Sequence, residues 1–151
     1  MSDTLNEAYE RYVLKHTHVD ENIETKFIVR NRTIVVPSAL KTIGVLNDKK
    51  AETIEFEMPR YYDSEDLSTH VLHIDFVNAG NQTDSYLVPD EDIEVSENLI
   101  NFKWVISDSV TRFKGVVKFQ LKFETTTSDT IIYSWHSEIA QLNVLDGLKV
   151  N

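Results

Sequence analysis

The chain has 151 residues, a formal charge of −10 at pH 7 and no cysteine. That length fits one domain able to bury a core without disulfide or metal support, and 41% hydrophobic against 26% charged residues excludes wholesale disorder. The missing cysteine removes disulfides, thiolate nucleophiles and sulfur-bound zinc and fits folding in a reducing cytoplasm, while the acidic balance opposes nucleic-acid binding, which needs clustered Lys and Arg against phosphate.

At the N-terminus, MSDTLNEAYERY has neither the basic nor the apolar region of a secretion signal, and no stretch approaches the ~18 apolar residues of a membrane span, so no membrane partner is expected. Leu5, Ala8, Tyr9, Tyr12 and Val13 recur at i, i+3, i+4, i+7 and i+8, which predicts a short α-helix with one apolar stripe, capped by Ser2 or Asp3. So short a helix is marginal alone, so the stripe is a candidate docking surface, against its own sheet or a neighbouring subunit. The polar HTHVDENIETK that follows reads as a linker. The domain plan is therefore a helix and linker over 1–24 and a β-domain over 25–151.

From Lys26 onward the pattern is strand-like, with strands predicted near 26–30, 32–36, 52–58, 70–77, 83–88, 92–95, 98–106, 115–124 and 130–136. Asn47-Asp48, Tyr61 to Ser68, Asn78 to Asn81, Pro89-Asp90 and Ser96 to Asn98 supply the turn chemistry between them. Two runs alternate most clearly: Ile100, Phe102, Trp104 and Ile106 share one face, and Val117, Phe119, Leu121 and Phe123 another. Many short strands at this spacing predict a mostly β fold, an antiparallel β-sandwich of Ig-like or jelly-roll-like type, with Trp104 buried between its sheets. Asp108 to Phe113 reads as a loop or a single helical turn. After Trp135 the strict alternation lapses, leaving Ile139, Leu142 and Val144 either to end a strand or to dock on another surface.

Four constellations bear on chemistry, and in each the ordinary reading prevails. His16, His18, Asp20 and Glu21 have metal-ligand chemistry but sit in a polar linker without a second histidine pair at helical spacing. Asp63, Glu65 and Asp66 lack the alternating ligand series and central Gly of a calcium loop and read as turn residues. His73 and Asp75 point to one face of a strand near His70, but there is no GxSxG elbow and neither GxGxxG nor GK[ST] occurs. Trp104, Trp135, Phe102 and Phe119 read as core before a sugar platform. The acids crowd between Asp84 and Glu97 and between Glu52 and Asp66, and read as a solubilising surface. No catalytic residue, cofactor or metal is expected.

A resemblance goes further. Glu52 to Ser68 (ETIEFEMPRYYDSEDLS), Asn78 to Gly80, Phe102 to Trp104 and Phe113 to Phe119 stand in the order found in small virion proteins of the tail and baseplate of phages of Gram-positive bacteria, and the run is similar to the N-terminal domain of phage upper-baseplate proteins. It covers about residues 30–148. The resemblance implies a non-enzymatic structural protein of the phage particle, made in the host cytoplasm and resident in the virion. The expected partners are other virion proteins and further copies of the chain, with a trimer ahead of a dimer. The alternative is a carbohydrate- or receptor-binding module, a head fibre or host-surface adhesin, with a host-surface glycan as partner and Tyr61, Tyr62 and Tyr86 as its aromatic rim.

Overall fold

The computed structural model describes residues 25–49 and 52–147. The helix stripe Leu5, Ala8, Tyr9, Tyr12 and Val13 and the linker residues His16, His18, Asp20 and Glu21 lie outside the described residues.

Among these residues the chain forms β1 (Lys26–Arg30), β2 (Thr33–Val35), β3 (Thr42–Val45), β4 (Thr53–Pro59), β5 (Tyr61–Tyr62), β6 (Glu65–Asp66), β7 (Val71–Val77), β8 (Thr83–Leu87), β9 (Ile93–Val95), β10 (Leu99–Val105), the one-turn helix α1 (Asp108–Thr111), β11 (Gly115–Thr127), β12 (Thr130–His136) and β13 (Ala140–Leu145). One sheet has the order β2-β1-β4-β10-β9, the other β3-β13-β11-β7-β8 with β12 also on β11, and β5 and β6 form a separate small hairpin.

The fold is mostly β and sandwich-like, but the sheets are mixed where uniformly antiparallel ones were expected. β1 runs parallel to β4, and β3 parallel to β13. One stretch of chain causes both. After β2 the backbone leaves the first sheet, contributes β3 to the second, and returns to lay β4 beside β1. Parallel neighbours require such a crossover of a dozen or more residues. Side-chain alternation reports which face a residue takes and is silent about strand direction.

The inner faces follow the alternation. Ile54, Phe56 and Met58 of β4 and Ile100, Phe102 and Trp104 of β10 meet Leu72, Ile74 and Phe76 of β7 and Val117, Phe119, Leu121 and Phe123 of β11, all buried. Phe119 is the joint between the sheets: its ring lies 5.2 Å from Trp104, 6.1 Å from Phe56 and 6.3 Å from Phe27. Phe56 in turn stacks on Phe102 at 4.7 Å. Burying each such side chain is worth roughly 1.5–3 kcal/mol. The indole N–H groups of Trp104 and Trp135 are buried with no acceptor among the described residues.

The lapse after Trp135 is a change of phase. β12 and β13 are successive parts of one return path along β11, divided at 137–139. Ser137 fills the break: its N–H donates to the Leu121 carbonyl (3.0 Å), and its Oγ accepts the Leu121 N–H (2.9 Å) and donates to the Glu138 carbonyl (2.8 Å). Beyond it Ala140, Leu142 and Val144 point inward again, so the tail is a strand, while Ile139 stands exposed. An extra residue of this kind exchanges the two faces of a strand.

Candidate functional site

Arg60 opens the most elaborate side-chain cluster. Asp63 and Ser64 both adopt positive φ (47° and 69°), which turns β5 back onto β6 over two residues and pairs Tyr61 with Asp66 and Tyr62 with Glu65. The Arg60 guanidinium grips Asp66 with two parallel bonds, Nε to Oδ1 at 3.0 Å and Nη2 to Oδ2 at 2.8 Å, and its Nη1 donates to the Ser96 carbonyl at 3.1 Å. Asp66 also accepts the backbone N–H and the hydroxyl of Ser68. Arg60 beside it and Ser68 hold its carboxyl well below the usual carboxylate range, and the Asp66 hydrogen bond raises Arg60 in return.

Tyr62 faces the other way. Its hydroxyl accepts from Arg32 Nε at 3.1 Å, and the Arg32 guanidinium lies 4.8 Å from the centre of the Tyr62 ring and 5.5 Å from that of Trp135. Arg32 Nη1 also donates to the His136 carbonyl at 2.6 Å, and the Arg32 carbonyl accepts from the Glu138 N–H at 2.7 Å. The β1–β2 turn of the first sheet is thereby fastened to the break between β12 and β13. Alongside, the buried His70 ring bonds Glu65 Oε1 through Nε2 (2.7 Å) and Thr125 Oγ1 through Nδ1 (2.6 Å), and stacks on Tyr133 at 4.1 Å. Burial, and next the Glu65 charge, pushes the Tyr133 phenol up.

Tyr61 and Tyr62 come together here with Asn31, Met58, Pro59, Leu67 and Trp135 around a cleft of about 70 Å³. Tyr61 is 47% exposed, its ring 5.4 Å from the Arg60 guanidinium. Tyr86, the third rim residue expected from sequence, stands elsewhere, on β8 opposite Ile74, and burial raises its phenol. The cleft presents one open aromatic face beside a guanidinium and holds little more than a methyl group or two waters. Sequence reading missed Arg32 and the second role of Trp135, because Arg32 meets Tyr62 across 30 positions and His136 across 104, and it set His70 beside His73 and Asp75 when its partners are Glu65, five positions back, and Thr125, 55 positions on.

The remaining constellations within the described residues resolve into structure. Asp75 accepts from Ser85 Oγ at 2.6 Å and pairs with Lys122 at 3.4 Å, and this sheet-surface pairing accounts for its carboxylate. Asp66 and Glu65 are engaged by Arg60 and His70, and among the described residues no three His, Asp or Glu side chains converge as metal ligands. Among the described residues, no helix is long and apolar enough to cross a membrane. Fold and cluster define a mostly β, sandwich-like domain of mixed sheets with a side-chain-clamped corner. No protein-family model matches the chain, and no curated protein matches it.

Proposed function

We propose that this chain is a non-enzymatic structural component of a phage particle, in the tail or baseplate, whose β-domain is an attachment domain and whose N-terminal stripe docks on other virion proteins. The observation that carries the reading is where the residues of the resemblance spend their functional groups. In the PRYYDSEDLS run, Arg60 and Ser68 both bond Asp66, and Leu67, whose side chain is buried in the core, donates its backbone N–H to the Arg60 carbonyl at 2.8 Å. Asn78 is buried and its side chain makes four bonds: Oδ1 accepts the N–H groups of Gly80 and Gln82, and Nδ2 donates to Gln82 Oε1 and the Ser109 carbonyl. Gly80 lies against the ring of Phe113, leaving no room for a Cβ. Phe102, Trp104 and Phe119 are core. What the chain has in common with that family is a way of holding a scaffold together, and a scaffold is what a virion attachment domain supplies.

The test is to purify particles of a phage carrying the gene and to quantify peptides of this chain by mass spectrometry. A fixed copy number per particle supports the reading; absence from purified particles refutes it. The exposed face of Tyr61 supports the second reading, a glycan-binding module. Binding on a glycan array that Tyr61→Ala abolishes, without loss of fold, would favour it.

A further inference from the structure

In the two main sheets five strands have an unpaired edge among the described residues: β2 and β9 in the first sheet, and β3, β8 and β12 in the second. An open edge offers unpaired N–H and C=O groups to any neighbouring strand, and proteins blunt it by shortness, charge or proline. β2 and β9 have three residues each, and β3 has four with Gly44 among them. β8 carries Asp84 and lies against Asp75. β12 has none of these three, and its one irregularity is a bulge at Ile132, where its register on β11 shifts between Thr125 and Thr126. It runs seven residues as TIIYSWH, with no lysine, arginine, carboxylate or proline.

It also projects. β7 pairs with β11 only over Lys118 to Glu124, whereas β11 continues to Thr127 with β12 alone beside it. Ile131 and Ile132, neighbours in sequence, are 58% and 63% exposed on this projection. Among the described residues the outer backbone edge of β12 is bonded only at its C-terminal end, by Arg32 to the His136 carbonyl, so the open edge runs from Thr130 to Trp135, although the side chains of Tyr133 and Trp135 are packed inward.

We propose that the β11–β12 hairpin is a self-association arm, and that two copies of the chain join antiparallel along β12 about a twofold axis, burying Ile131 and Ile132 of both. Two features select a second copy as the occupant. An antiparallel strand edge is complementary to itself under a twofold, so one edge supplies both sides of the contact. The charge map selects the same place: copies carrying −10 each repel, yet Thr125 to Ser137 contains a single carboxylate, Asp129, while Asp84 to Glu97 contains six and no base. A basic partner finds nothing to pair with on the arm, and a like-charged copy finds nothing to oppose it. The proposal draws neither on the stripe at Leu5 to Val13 nor on the virion reading.

Sedimentation of the full-length chain up to about 100 µM tests it. The expected result is a reversible dimer whose dissociation constant rises at least about 30-fold in Ile131→Lys/Ile132→Lys, with the far-UV spectrum unchanged. Should that variant misfold, Thr130→Lys, at an exposed position near the tip, serves in its place. Because the chain has no cysteine, single cysteines along β12 (Ile131→Cys, Ile132→Cys, Ser134→Cys) report the axis directly. Under mild oxidation they give covalent dimers where Thr83→Cys on β8 does not. A monomer throughout the concentration range, an oligomer indifferent to the lysines, or cross-linking equal at both edges overturns the proposal.

Discussion

Replacing Trp104 separates two effects that usually act together. Its side chain is 0% exposed, wedged between the rings of Phe119 and Phe76 at 5.2 and 5.8 Å, and its indole N–H finds no acceptor among the described residues. Trp104→Ala forfeits the contacts and leaves a cavity, at a cost of about 3–5 kcal/mol. Trp104→Phe removes about 40 Å³, worth about 1 kcal/mol at the usual price per unit of cavity volume. It also deletes a buried, unpaired donor whose desolvation costs about 1–3 kcal/mol. The two contributions to the phenylalanine variant oppose each other, so its stability equals the parent's or exceeds it by up to about 2 kcal/mol. Urea titration followed by far-UV circular dichroism reads both variants, since the total available is about 5–15 kcal/mol. A phenylalanine variant that loses about 3 kcal/mol or more would show that the ring's volume governs the site and that the orphaned N–H carries no penalty.

Ser137→Ala deprives the buried Leu121 N–H of its acceptor, and the same titration should register a loss of about 1–3 kcal/mol. Gly80→Ala would drive a methyl into the ring of Phe113; a loss of about 1–3 kcal/mol is expected, largely absent in a Phe113→Ala background, which a double-mutant cycle measures. Asp66 titrates below its unfolded value of about 3.9, so its contribution is complete above that pH and lost as pH falls further. Denaturation curves between about pH 5 and pH 2 should therefore fall less steeply for Asp66→Asn than for the parent; identical slopes would rule out the Arg60–Asp66 pair as a source of acid sensitivity.

The inner faces of β10 and β11 were legible because four large apolar residues in a row at period two leave one arrangement that buries them. β3 was not, because Ile43 and Gly44 are buried consecutively and give no period. β13 escaped because one residue at the Ser137 break shifts its phase, so a correct pattern resumed on what looked like the wrong beat. The parallel pairings were invisible for a different reason, since alternation reads the same in either direction. At the corner, Tyr61 and Tyr62 showed as surface aromatics beside turn chemistry. Arg32, which gives Tyr62 its fixed place, is contributed by a turn 30 residues earlier, and only the packing of the two sheets brings it there.

The crossover that makes both sheets mixed also sets the order in which the domain can be finished. β3 finds its neighbour when Asn143 reaches Thr42, and the Arg32 clasp closes across 104 residues. Contacts so remote in sequence gain nothing until a long loop has been closed, which places folding toward the slow, millisecond-to-second end for small domains. On a ribosome adding about 5–20 residues per second, the early strands wait roughly 5–20 s for partners still to be made. Throughout that interval β3 and the β1–β2 turn are exposed to mispairing. Damage to Ala140–Leu145 should accordingly appear first as lost yield during synthesis, and only afterwards as lost stability in the completed molecule.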